Sequence, residues 1–206
     1  MKAFVLSAAL IASCASLAVS TFSPPASAGA SVADAAGENW AMEIEMCNPM
    51  PIVVGGGSTP SRIVWFVAFD VANKSGAART LTPFVKMRTE TGKEYNATYD
   101  PDALRAIRGT AIPEAVDIFE LNGPIEDGAK KRMVATFGDV DTSANHLDVH
   151  LQGFAASLVR NGAKWDQMNR EYQASFHRPG PPNRIVQSRV KMKKAGWTVV
   201  ETKKVR

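Results

Sequence analysis

The sequence predicts an all-β chain, an antiparallel β-sandwich with a short helical insertion, and three observations carry that expectation. Apolar and polar side chains alternate over several short runs, and Gly, Asn, Asp and Pro cluster between those runs. Only one segment carries the grammar of a helix start, so long helices between parallel strands are not expected.

Each element can be justified in turn. Residues 29–60 read as a flexible N-terminal segment that ends in a Gly-rich linker or open turn, Gly55-Gly56-Gly57-Ser58-Thr59-Pro60. The triple glycine lacks the Gly-Lys-Ser/Thr continuation of a phosphate loop. The domain proper is expected over 61–178. Trp65, Val67, Phe69 and Val71 share one face of the first run and Val64, Phe66 and Ala68 the other, which suits a central strand covered on both sides. Asn73-Lys74-Ser75-Gly76 is a turn. Val85 and Met87 then alternate with Lys86 and Arg88, and Glu90-Thr91-Gly92-Lys93 turns the chain toward Tyr95.

Asp100-Pro101 begins the helical insertion, because an acceptor side chain at the cap precedes a proline whose missing N–H costs nothing there. Ala103, Leu104 and Ile107 form its apolar side, and Gly109 is expected to end it. Strand character returns over Met133–Phe137. The clearest alternation places His146, Asp148 and His150 on one face and Leu147, Val149 and Leu151 on the other. Tyr172, Ala174 and Phe176 mark a further strand, and the basic segment 179–206 is expected to complete the sandwich through Trp197–Val200.

The first 28 residues have the layout of a secretory signal peptide: Lys2, a small apolar run, Pro24-Pro25, then Ala26-Ser27-Ala28 before the cut. A periplasmic or secreted protein follows, with lipoprotein anchoring through Cys14 the less favoured alternative. No later run reaches the roughly 20 apolar residues of a membrane-spanning helix, so no transmembrane segment is expected in the mature chain. Cleavage after Ala28 would leave Cys47 as the only thiol, which rules out an internal disulfide.

Charge is unevenly distributed. Residues 29–177 hold 14 Lys/Arg against 19 Asp/Glu, whereas residues 178–206 hold nine basic residues against Glu201 alone. Arg184, Arg189, Lys191, Lys193, Lys194, Lys203 and Lys204 are therefore candidates for contact with an anionic surface: envelope lipid, polymer or an envelope protein. Nucleic acid is not an expected partner of an exported chain.

The turn texts Val71-Ala72-Asn73-Lys74-Ser75-Gly76 and Thr89-Glu90-Thr91-Gly92-Lys93, with the segments Gly128–Phe137 and Asp141–Gly153, resemble secreted bacterial immunoglobulin-like domains of unknown function. The resemblance implies an immunoglobulin-like antiparallel β-sandwich. It brings no catalytic residue with it.

Two clusters have metal-binding chemistry. His146, Asp148 and His150 suit zinc or copper, but alternate same-face residues lie roughly 6–7 Å apart, so both imidazoles cannot reach one ion unaided. Met42, Met46, Cys47 and Met50 are soft ligands suited to Cu(I), and methionines equally fill core gaps. Neither a Gly-x-Ser-x-Gly elbow nor a His-Glu-x-x-His pair is present, and no cofactor is called for. The sequence thus points to an exported non-enzymatic binding or scaffolding protein of the bacterial envelope, with a periplasmic copper or zinc module as the alternative.

Overall fold

Strand β4 (Thr59–Ala72) organises the molecule, because Val64 through Val71 are buried without a break and both faces must therefore be covered. The computed structural model describes residues 39–56, 59–141, 143–161, 164–178 and 190–205. The signal-peptide segment with Cys14 lies outside the described residues, as do Arg184 and Arg189. Among the described residues the chain is mostly strand, with one α-helix.

Sheet I has the order β2 (Glu43–Met46), β4, β8 (Lys130–Gly138), β7 (Val116–Asp117), with β3 (Met50–Gly56) also paired to β4. Sheet II has the order β11 (Leu158–Asn161), β12 (Lys164–His177), β9 (His146–Gln152), β5 (Phe84–Thr89), β6 (Glu94–Asn96), and β13 (Lys191–Val205) lines the other side of β12. All pairings are antiparallel except β7 with β8. A two-stranded ribbon joins β1 (Trp40–Ala41) to β10 (Ala155–Ala156).

The sheets share one core. Trp65, Val67 and Phe69 of β4 and Met133, Ala135 and Phe137 of β8 meet Val85 and Met87 of β5, Leu147, Val149 and Leu151 of β9, and Ala174 and Phe176 of β12. The outer face of β4 is covered by helix α1 (Pro101–Thr110): Leu104 and Ile107, with Ile112 and Ala115 beyond it, pack on Phe66, Ala68 and Val134. At about 2 kcal/mol for each large apolar side chain buried, this patch explains why the insertion docks on the sheet instead of standing off it. Asp100 caps the helix by accepting from Ala103 N–H at 3.0 Å, and it also takes a bidentate contact from Arg62 at 2.6 and 2.9 Å. The helix runs one residue past Gly109, to Thr110.

Residues 29–38 of the expected flexible N-terminal segment lie outside the described residues, and from Trp40 the structure differs from the expectation. From Trp40 onward the chain is folded, as β1, β2 and β3, and Gly56 pairs with Thr59. Gly55 and Gly56 thus end β3 where it pairs back onto β4, while Gly57 and Ser58 lie outside the described residues. Gly55 has φ +92°, and a β-carbon there would press on the Pro60 carbonyl, so the turn needs glycine at that position. The short apolar stretch Ile52–Val54 is a paired strand.

Asn73 pins the β4 exit turn to the segment leading into β8. Its amide donates to the carbonyls of Ala77 (2.8 Å) and Ile125 (2.7 Å), and its oxygen accepts from Ser75 N–H. The residue is fully buried, so the turn residue predicted from sequence is also a core polar clamp.

Candidate functional site

The outward face of sheet II carries three histidines and a buried carboxylate. On β9, His146, Asp148, His150 and Gln152 point outward while Leu147, Val149 and Leu151 are buried, as the alternation predicts. On β12, Glu171, Gln173, Ser175 and His177 take the same face, opposite Tyr172, Ala174 and Phe176. The register sets Gln173 beside His150, Ser175 beside Asp148 and His177 beside His146.

The two histidines of β9 fall into separate groups. His146 packs against His177 with ring centroids 4.7 Å apart, and His177 Nδ1 is buried without a partner. His150 is tied through Nδ1 to Glu171 at 2.5 Å, and its Nε2 is also buried and unpartnered. Glu171 is only 3 % exposed, although it sits on the outward face. Burial pushes its carboxyl up. Hydrogen bonds from Gln152 (2.7 Å), His150 and Gln173 (2.5 Å) outweigh that effect and hold it below the usual carboxylate range. It therefore stays ionised inside the protein.

A concavity opens beside Glu171, and the strand paths explain it. Strand β12 runs unbroken, but its neighbour changes: β9 leaves after Gln152, the chain detours through β10, and β11 rejoins at Leu158. Asn169 to Glu171 keep their β13 partners but face a gap on the other side. The detour is held by Met168 N–H donating to the Ser157 carbonyl at 2.8 Å. Gly153, with φ +83°, starts it; a β-carbon there would overlap the Thr82 carbonyl. The resulting pocket of about 360 Å³ is lined by Phe84, Gln152, Gly153, Met168, Glu171 and Val200, among others.

Strand β13 bounds the same sheet. It pairs with β12 from Trp165 to His177, and its other side has no strand partner among the described residues. Lys191, Lys193 and Lys194 are exposed along it. Lys203 and Lys204 lie opposite Gln167 and Asp166 in the backbone register, and their side chains are outside the description.

Met42 and Met46 are buried in the shared core, whereas Cys47 is a free, exposed thiol and Met50 is partly exposed. Among the described residues no group of three His, Cys, Asp or Glu is placed to hold a metal ion. No helix among them is long and apolar enough to cross a membrane. The sequence reading missed Glu171, Gln152 and Phe84. The signal for Glu171 was present as Glu171-x-Gln173-x-Ser175-x-His177, a polar face opposite the three apolar residues that mark the strand.

Comparison with protein-family models, curated proteins and solved structures returns no match.

Proposed function

We propose that this chain is an exported, non-enzymatic binding protein of the bacterial envelope that meets an anionic surface through the edge of sheet II. The observation that carries the reading is β13: a 15-residue strand, open on one side among the described residues, with Lys191, Lys193 and Lys194 exposed at its start. Lysines on a free edge discourage pairing with another strand, which favours electrostatic contact over strand addition. An immunoglobulin-like arrangement is supported by the strand order, in which β5, β9 and β12 face β4 and β8 as the C, F and G strands of that fold face B and E.

The test is cosedimentation with phosphatidylglycerol vesicles at low and high salt, using the mature chain and a K191Q/K193Q/K194Q variant. Each lysine near an anionic surface contributes about 1 kcal/mol, so the variant should bind about a hundredfold more weakly, and salt should erase the difference. Soluble polyphosphate as competitor separates recognition of phosphate from recognition of a lipid surface. Equal binding by variant and parent would refute the reading.

One observation favours a second reading, a copper or zinc module. The packed His146–His177 pair has a buried, unpartnered Nδ1 on its second ring. Equilibrium dialysis of the metal-free protein against zinc, repeated with His177→Ala, tests it; retention of less than one ion per chain would dismiss it.

A further inference from the structure

We propose that the gap in sheet II is a binding site for a small organic cation, a protonated primary amine, held by the Glu171 carboxylate and covered on one side by the Phe84 ring. The inference is independent of the anionic-surface reading, because the exposed lysines Lys191–Lys194 lie at the His177 end of β13 whereas the pocket meets that strand at Val200.

The argument begins with the cost of the carboxylate. An ion taken out of water is disfavoured by several kcal/mol unless donors replace its hydration, and Glu171 has three such donors from three different positions on two strands. Two of them, His150 Nδ1 and Gln173 Nε2, converge on Oε1, while among the described residues Oε2 takes Gln152 alone. A carboxylate has about four acceptor positions, so Oε2 retains capacity for a further donor. Glu171 and its Oε2 donor Gln152 both line the pocket.

The remaining walls suit an alkylammonium ion. Phe84 is 46 % exposed, and as the first residue of β5 it stands on the same outward face, where a ring face attracts a cation. Met168 and Val200 supply apolar surface for the alkyl part, and Asn169 adds an amide. Arg170 also borders the pocket, but its guanidinium lies over the Trp197 ring at 5.4 Å from the centroid, so its charge is already placed against an aromatic. The register shift between Asn169 and Arg170 puts Val200 in the bulge of β13, which brings that side chain to the pocket.

The probe is n-butylammonium, titrated into the mature protein and followed by backbone amide shifts, with butyrate as the anionic counterpart. Binding should move resonances of Phe84, Gln152 and Asn169 to Glu171, and butyrate should move none of them. A hydrogen bond to an ionised group is worth about 1.5–3 kcal/mol, so Glu171→Gln should weaken binding by about tenfold to a hundredfold. Phe84→Ala removes an exposed side chain, leaves folding intact, and should weaken binding several-fold. The proposal is overturned if butylammonium moves no pocket resonance at saturating concentration, if butyrate binds equally, or if the Phe84→Ala and Glu171→Gln variants both bind like the parent.

Discussion

Replacing Asp117 by Asn should stabilise the protein at pH 8 and leave it nearly unchanged at pH 4. Asp117 ends β7 and is fully buried; its Oδ1 accepts from Phe119 N–H at 2.9 Å, capping the 3-10 turn Ile118–Glu120, while Oδ2 is buried without a partner. Burial pushes its carboxyl up to about 6; the Phe119 N–H opposes that shift and the nearby Glu120 adds to it. The folded state therefore holds this proton more tightly than the unfolded chain, where the group titrates near 3.8. Its contribution is complete below about pH 4 and is lost as pH rises through 6. About two pKa units correspond to about 3 kcal/mol.

Asparagine keeps the cap oxygen and resembles the protonated acid in shape, with a donor in the same unpartnered place. At pH 4 the two proteins should therefore match within about 1 kcal/mol, and at pH 8 the variant should gain up to about 3 kcal/mol. Guanidinium unfolding of the protein at several pH values measures both quantities, and the thermal midpoint should rise by several degrees at pH 8. A difference between variant and parent that stays constant from pH 4 to 8 would refute the assignment, as would a loss of stability at pH 8.

Two further outcomes follow from the geometry. Asp70 is buried and accepts a bidentate contact from Arg132 (2.5 and 2.7 Å) and another from Lys130 (2.7 Å), which hold its carboxyl down at about 2. Its stabilisation is present above about pH 4 and is lost as pH falls toward 2, so acid titration of the parent should show a loss of about 2 kcal/mol in that window; Asp70→Asn should abolish it. Gly153→Ala should lower stability by about 2–5 kcal/mol, from an unfavourable positive φ together with overlap on the Thr82 carbonyl, and should remove butylammonium binding; calorimetry and the amide titration read the two effects.

The layering was legible wherever a strand's neighbours are decided by its own pattern. Val64–Val71 reads as covered on both faces because both faces are apolar, and the structure covers one with sheet II and the other with helix α1. The helix start was legible because Asp100-Pro101 satisfies the first turn locally. The strands at 40–56 were not legible: Glu43-Ile44-Glu45-Met46 and Ile52–Val54 are too short to stand out, and they form only because β4 offers them an edge. The site was legible by half. His150 was singled out from its own strand, but its partner Glu171 lies 21 positions on, and the pocket exists because β9 and β11 share β12 at different heights. No local pattern encodes that interruption.

Two of the buried carboxylates, Asp117 and Glu171, show why the pocket, and not the turn at Asp117, carries the binding proposal. Asp117 has one donor, and burial wins: its carboxyl rises toward neutrality and any function as an anion is lost as it becomes protonated below about pH 6. Glu171 has three donors, and they prevail over burial, so its charge persists within the fold. For stability alone an apolar side chain of similar size in place of the charged cluster would often serve as well, since replacing buried charged groups by well-packed apolar ones is often neutral or stabilising. The His150–Glu171–Gln152 cluster instead fixes a negative charge in one orientation at the wall of a cavity that the sheet has left open. Such a charge, immobilised before any ligand arrives, lowers the cost of recognising a cation.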